Sequence, residues 1–142
     1  MEVLKLLQSQ VRCLRKLLDY SEEFLLSCSD GEFSTFTKYD QKRAKIFKAL
    51  ELYDHKITEV ANTLSPEEKT SELIELLKAE ALAKNSLIQA IFVKDQKIIL
   101  AIQNERERLI RLASSSDKNK EMLNKFKSTW VPESGEKLDG RI

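Results

Sequence analysis

The side chains best suited to chemistry in this sequence are one histidine and two cysteines. His55 lies near Glu51 and Asp54, but a metal site built on histidine needs a second imidazole or a thiolate, and neither is near it in sequence. Cys13 and Cys28 lie on one predicted helix, about 22 Å apart at about 1.5 Å per residue, which exceeds the reach of a disulfide. We therefore expect no metal site, no cofactor and two reduced thiols, as in a cytoplasmic protein.

His55 also has an interpretation as a phosphoryl acceptor. Histidine phosphotransfer modules are long helical proteins with one exposed reactive imidazole, so the single histidine of a helical chain fits that pattern. Such sites usually carry a glycine one turn further on, where this chain has Thr58 and Glu59. A phosphotransfer module is the third alternative for the function.

The charged side chains predict solvated surfaces rather than a catalytic or nucleic-acid site. Lysine and arginine number 24 against 23 aspartates and glutamates, a net charge of +1. One basic stretch comprises Lys38, Lys42, Arg43, Lys45 and Lys48. Asp40, Glu51 and Asp54 interleave with this stretch, which argues against a nucleic-acid partner. Two carboxylate pairs near helix ends or on polar faces have the same interpretation, namely Glu22 with Glu23 and Glu67 with Glu68.

Almost the whole chain is free to form helices. No glycine occurs between Gly31 and Gly135, and Pro66 is the only proline before Pro132. Because glycine and proline are the main interrupters of regular structure, we expect long helices and no glycine loop that holds a phosphate. An enzyme is not expected, and the pattern favours a helical protein that acts by binding.

Two long helices are predicted before Pro66. The first runs from about Glu2 to Leu26, with apolar residues at intervals of three and four and Ser21 as the one polar gap: Leu4, Leu7, Val11, Leu14, Leu18 and Leu25. Turn-forming residues at 27–31 end it. The second spans about Glu32 to Leu64 with a more aromatic stripe: Phe33, Phe36, Phe47, Leu50, Ile57, Ala61 and Leu64, flanked by Tyr39, Ile46, Tyr53 and Val60.

A third helix is predicted to begin at Ser65 and Pro66. Serine caps a helix, proline favours its first position, and Glu68 completes a capping box. The apolar seam that follows requires one helix of about 45 residues: Ile74, Leu77, Ala81, Ile88, Ile91, Ile98, Ile102, Leu109 and Leu112. Charged residues interrupt the second and third seams: Asp40, Arg43, Asp54, Lys84, Asp95 and Glu105. One interpretation is that opposite charges of the two antiparallel helices face one another and help to set their register. Because exposed pairs contribute only about 0 to 1 kcal/mol each, we favour the other, that these residues are seam ends that face water.

The expected fold is all-α. Short connections place successive helices antiparallel, so the chain predicts an elongated antiparallel bundle of three long coiled-coil-like helices. A short C-terminal helix from Asp117 to about Thr129 completes a single domain over residues 1–130, and a flexible tail follows over 131–142. No stretch approaches the roughly 18 uninterrupted apolar residues of a membrane span, so direct membrane insertion is not expected.

One apolar patch of the third helix is predicted to face away from the bundle. With Ile88, Ile91, Ile98 and Ile102 on the inward seam, four apolar residues fall on or beside the opposite side: Phe92, Val93, Ile99 and Leu100. One interpretation is that the short fourth helix folds back and covers them with Met122, Phe126 and Trp130. The other is a groove for a partner's amphipathic helix, and a hinge at residues 114–116 makes the two compatible.

The layout resembles the flagellar export chaperones of the FlgN/FliT type. The similarity is densest over residues 85–126, in the segments Asn85-Ser86-Leu87-Ile88, Asp95-Gln96-Lys97-Ile98-Ile99 and Arg108-Leu109-Ile110. The closing residues 137–142 are similar to the tails of some members.

The resemblance implies a cytoplasmic chaperone with no enzymatic activity. Its client would be the disordered, amphipathic C-terminal segment of a hook-filament junction or filament-cap protein, bound at Phe92, Val93, Ile99 and Leu100. In the family an aromatic residue near the end of the last helix contacts the export gate, for which Trp130 is the first candidate and Phe126 the second. The alternative is a coiled-coil scaffold that forms a homodimer through the same stripe.

Overall fold

The structure, a computed structural model, describes residues 2–115 together with 121, 124 and 125. Three helices make up most of this part: α1 is Glu2–Ser29, α2 is Phe36–Thr63 and α3 is Ser71–Ala113. All regular secondary structure within it is helical, and the three helices pack together. Of the predicted fourth helix the structure describes only residues 121, 124 and 125, which are helical, so the extent of that helix stays a prediction. Phe126, Trp130 and the predicted tail lie outside the described residues.

The chain divides into two compact units that meet within α3. The first ends at Ala101 and the second begins at Ile102. The core and both candidate binding faces described below belong to the first unit. Among the helices that the structure describes, none combines the length and apolar character that crossing a membrane requires.

The turn after α1 is built around a glycine. Gly31 has φ +79°, a conformation that side chains with a Cβ rarely adopt. Its N–H donates to Cys28 O at 3.0 Å, and Glu32 N–H donates to Ser27 O at 2.8 Å, the two bonds of a Schellman motif. The Glu32 carboxylate then accepts bonds from the Ser34 hydroxyl and backbone N–H, which lower the pKa of Glu32. Because residues 31–34 are held in this turn, α2 begins only at Phe36, four residues after the predicted start at Glu32.

The third helix begins later than predicted. Ser65 and Glu68 do interact, since the Ser65 N–H and hydroxyl both donate to the Glu68 carboxylate, at 3.3 and 3.0 Å. This pair closes a turn, however, and the helix starts only at Ser71. The cap is Thr70, whose hydroxyl oxygen accepts a bond from Leu73 N–H at 3.2 Å.

The core of the first unit joins all three helices. Its buried centre consists of Leu14, Leu17, Ile46 and Ile91. Half-buried side chains surround this centre: Cys13, Leu18, Tyr20, Leu50 and Leu87. Neither Cys13 nor Cys28 forms a disulfide.

The buried seam of α1 differs from the predicted one. The structure buries Val3, Gln10, Val11, Leu14, Leu17, Ser21, Phe24 and Cys28. Leu17 and Phe24 therefore replace Leu18 and Leu25 as the inward residues. The seam also contains two polar side chains: Ser21, which is the polar gap of the predicted stripe, and Gln10, which the apolar pattern does not predict.

The buried seams of α2 and α3 also differ in part from the predicted ones. On α2 the buried residues are Tyr39 and Ile46, whereas Phe47 is 45% exposed. On α3 the predicted inward residues Ile91, Ile98 and Ile102 are buried. Ile74 and Ile88, however, are 42% and 44% exposed, and Leu73 takes the inward position at the start of α3.

A chain of polar contacts links the three helices near the middle of α1. The Ser21 hydroxyl lies 3.2 Å from the Tyr39 hydroxyl, to which Arg43 donates at 3.5 Å. Arg43 also donates two bonds to Asp95, at 2.7 and 2.9 Å. Arg43 and Asp95 are thus a partly buried bidentate pair, and the prediction that both face water is wrong.

The same contacts act on the Arg43 guanidinium. Burial alone lowers its pKa, but the hydrogen bonds and charge of Asp95, helped by Tyr39, outweigh burial and hold the pKa above its usual value. Arg43 is therefore charged at every physiological pH.

A second polar contact links the helices nearer the start of α1. Gln10 donates to the Asp54 carboxylate at 2.6 Å and to Leu50 O at 3.4 Å. Lys84 of α3 lies 3.6 Å from the same carboxylate. The carbonyl oxygen of the fully buried Gln10 side chain has no hydrogen-bond partner among the described residues. Asp54 and Lys84 are thus also paired with each other across the helices, rather than isolated seam ends.

Candidate binding faces

The four predicted binding residues lie on α3 within one stretch of nine positions. Phe92 is 62% exposed, Val93 50% and Leu100 56%, and Ile99 is half-buried. Three of these side chains thus present apolar surface to solvent, while Ile99 lies at the edge of the core. Exposed residues of this size mark a surface that a partner can cover.

This surface has very few exposed charges. Charged residues make up 33% of the chain, but between residues 81 and 101 only Lys97 is both charged and exposed. Lys84, Lys94 and Asp95 are half-buried, and two of the three are paired with α2. We call the exposed surface of α3 from Ala81 to Ala101 the neutral face. An ordinary solvated helix surface is much richer in charge.

The sequence analysis missed one residue of the neutral face. Leu82 is 69% exposed, more than any of the four predicted residues. At about 100° per residue, Leu82, Val93 and Leu100 fall within about 20° of one another on the helix surface. The helical spacing that predicts Val93 and Leu100 as outward residues therefore also predicts Leu82 as one.

A cleft of about 290 Å³ lies between α1 and α2. It is lined by Tyr20, Glu23, Phe24, Ser27, Thr35, Lys38, Tyr39 and Lys42. We call it the aromatic cleft. Its lining comes from the last turns of α1, the first turns of α2 and the N-cap position of α2.

The walls of the aromatic cleft are rigid. Phe24 and Tyr39 are buried and stack at 4.8 Å between ring centroids, with the rings 7° from parallel. Phe36 packs against Phe24 at 5.7 Å. The Tyr39 hydroxyl is held by Ser21 and Arg43, which fixes the ring further. A buried, hydrogen-bonded aromatic cluster does not rearrange easily.

The rim of the aromatic cleft carries lysines. Lys42 is in the lining, and its ammonium lies 4.7 Å from the centroid of the Tyr20 ring, a cation–π contact. Lys38 lines the cleft, and Lys45 is on the same side of α2 at the following turn. Glu23 of α1 is the one acidic residue of the lining. The sequence analysis treated these lysines as part of a neutralised stretch and did not predict the cleft.

A second cleft, of about 480 Å³, has walls from all three helices. Phe47, Leu50 and Ile88 supply its apolar surface, and Asp54 with Lys84 lies in its lining. It adjoins the neutral face, because Ile88 precedes Phe92 by one helical turn.

His55 is exposed on α2, and so are Thr58 and Glu59 one turn further on. Within the described part of the chain, no group of three His, Cys, Asp or Glu side chains has an arrangement that holds a metal ion. The phosphotransfer interpretation of His55 stays a prediction.

Comparisons with protein-family models, with curated proteins and with solved structures gave no match to this chain. The function is therefore argued from the faces themselves.

Proposed function

We propose that this chain is a cytoplasmic flagellar export chaperone of the FlgN/FliT type that binds the amphipathic C-terminal segment of a hook-filament junction or filament-cap protein. The observation that carries the proposal is the neutral face: Phe92, Val93 and Leu100 are exposed on a surface whose one exposed charge is Lys97. An amphipathic client helix recognises such a surface with its own apolar stripe. No bond is made or broken.

The proposal includes an antiparallel bundle. The contact from Arg43 leads to Asp95, and the contact from Asp54, later on α2, leads to Lys84, earlier on α3. Partner numbers that fall as the α2 numbers rise support antiparallel packing of these two helices. The short connections between the helices favour the same arrangement. The bundle then acts as a rigid support for one exposed client face.

The C-terminal part of the proposal rests on resemblance. Trp130 first, and Phe126 second, would contact the export gate, and the segment from Asp117 to about Thr129 would regulate access to the client face. A disordered client that folds on binding suits this arrangement, because its ordering cost keeps the complex reversible.

The test compares two leucine substitutions of matched chemistry. Leu100→Glu adds a charge to the neutral face, whereas Leu52→Glu adds the same charge to α2 at a residue that is 63% exposed, against 56% for Leu100. We expect Leu100→Glu to weaken the client complex by at least about tenfold, since a buried charge must be desolvated, and Leu52→Glu to leave it unchanged.

The measurement is the mass of the complex by size-exclusion chromatography with light scattering. The full chain is mixed with C-terminal segments of junction and cap proteins from the same organism, and circular dichroism checks the helicity of both variants. A one-to-one complex that Leu100→Glu alone disrupts supports the chaperone. If no segment binds the unsubstituted chain, the proposal fails. If Leu100→Glu unfolds the bundle, the neutral face belongs to the core.

A self-associating scaffold is the second candidate. The observation that favours it is that a surface with almost no exposed charge does not repel a second copy of itself. It predicts a homodimer through the neutral face and no affinity for flagellar segments.

A further inference from the structure

We propose that the aromatic cleft between α1 and α2 is a second binding site, which takes an acidic peptide segment with one apolar side chain. The apolar side chain enters between Tyr20 and Phe24, and carboxylates on either side of it meet Lys38, Lys42 and Lys45. This site is independent of the client face proposed above, because α3 supplies none of its lining.

Lysines and aspartates that alternate along the sequence of α2 lie on different sides of the helix. At about 100° per residue, Lys38, Lys42 and Lys45 fall within about 60° of one another on α2. The acidic residues between and after them, Asp40 and Asp54, fall on the opposite side. Asp54 indeed contacts Lys84 of α3, on the side of α2 away from the cleft. The lysines beside the cleft therefore keep their positive charge locally, although the whole chain carries only +1.

Arg43 does not take part in this site. It belongs to the same basic stretch, but it is bound to Asp95 and lies over the Phe47 ring at 4.8 Å. Glu23, in the cleft lining, opposes three lysines on the α2 side. The local excess is positive, so charge complementarity selects an acidic partner.

The size of the cleft decides between classes of ligand. Its volume of about 290 Å³ lies at the low end of the range for small-molecule pockets. It suits one side chain better than a cofactor, and the stacked pair of Phe24 and Tyr39 gives that side chain a rigid apolar wall. Lysines spaced at four and three residues on α2 extend the charge along the helix, which matches a peptide with several carboxylates.

The probe is a short fluorescein-labelled peptide with one phenylalanine among glutamates, measured by fluorescence anisotropy with the full chain. Two matched peptides replace the phenylalanine by alanine or the glutamates by lysines. We expect the first peptide to bind, the alanine peptide to bind at least about threefold more weakly, and the lysine peptide not to bind. Binding should weaken as salt is raised, because Lys38 and Lys45 are exposed.

The test variant is the double substitution Lys38→Glu with Lys42→Glu. Its control is Lys48→Glu with Lys69→Glu, which changes the net charge equally at two exposed lysines outside the cleft. We expect the first variant to lose at least about tenfold in affinity and the control to lose less than about threefold.

Amide shifts in heteronuclear NMR spectra locate the peptide on the chain. We expect them at Tyr20, Thr35 and Lys38. Equal losses in both variants, shifts confined to α3, or no binding at millimolar peptide would overturn the proposal. So would lysine-dependent binding of single-stranded DNA or phosphatidylserine vesicles without binding of the peptide. None of these outcomes bears on the client experiment, which uses different residues and different peptides.

Discussion

At the scale of single residues, Arg43 is the polar side chain through which contacts of all three helices are joined. It donates to Tyr39 of its own helix and twice to Asp95 of α3, while Tyr39 contacts Ser21 of α1. The side chains of Arg43 and Asp95 are only 27% and 21% exposed. Loss of one partner leaves the other charge partly buried, which costs more than the pair itself contributes. Such a pair specifies which residues of α2 and α3 meet.

A double-mutant cycle should show this coupling. We expect Arg43→Ala and Asp95→Ala each to lower the free energy of unfolding by about 1 to 3 kcal/mol, and the double variant to lose less than their sum. The expected coupling is about 1 kcal/mol, measured by urea denaturation followed by circular dichroism.

The matched control is the exposed pair of Glu75 and Lys78, whose atoms are 3.9 Å apart and whose side chains are 75% and 69% exposed. Its coupling should be about 0 to 0.5 kcal/mol, because water screens an exposed pair. Equal coupling energies in the two pairs would mean that the partial burial of Arg43 does not strengthen its interaction with Asp95.

At the scale of helices, the sequence predicts how many long helices form better than it predicts where each helix begins and which side it buries. Three long helices are present as expected, because the interval without glycine leaves little to interrupt them. The seam of α1 is displaced because the predicted stripe admits only one polar residue, Ser21, whereas the buried seam also contains Gln10. Those two residues face inward because they find partners, Asp54 for Gln10 and Tyr39 for Ser21. Partners more than fifteen residues away are not visible in a local pattern.

The first residue of α3 is likewise predicted less accurately than the helix itself, and the identity of its cap can be tested. Thr70→Ala removes the hydroxyl that accepts the Leu73 N–H bond, so we expect the free energy of unfolding to fall by about 1 kcal/mol. Ser65→Ala removes only an exposed bond to Glu68 in the preceding turn, and we expect a loss of at most about 0.5 kcal/mol.

Both variants are measured by urea denaturation under one set of conditions. The sequence alone favours Ser65 as the cap, so it predicts the opposite order of the two losses. A larger loss for Ser65→Ala would restore the helix start that the serine and proline pattern indicates.

At the scale of the whole molecule, folding places apolar, basic and acidic side chains on different surfaces. The sequence predicts Phe92, Val93 and Leu100 as outward residues from helical spacing, and all three are exposed. It does not predict the aromatic cleft, because the cleft exists only once residues of α1 and α2 lie side by side. The lysines of that cleft and the acids near α3 alternate in sequence but occupy opposite sides of one helix.

The oligomeric state follows from the size of the neutral face. From residue 81 to residue 101 the face extends about 30 Å, and a stripe about 10 Å wide offers about 300 Å². A stable dimer buries about 800 Å² on each partner, so a rigid second copy cannot obtain enough area from this stripe. A disordered client can wrap beyond it and gain more.

We therefore expect the chain to have the mass of one copy in light scattering at low micromolar concentration, with no change between wild type and Leu100→Glu. The matched substitution Leu52→Glu should behave in the same way. A dimer that Leu100→Glu dissociates and Leu52→Glu does not would instead place a second copy on the neutral face. That result would favour the scaffold, because a face already buried in a stable dimer is closed to a client helix.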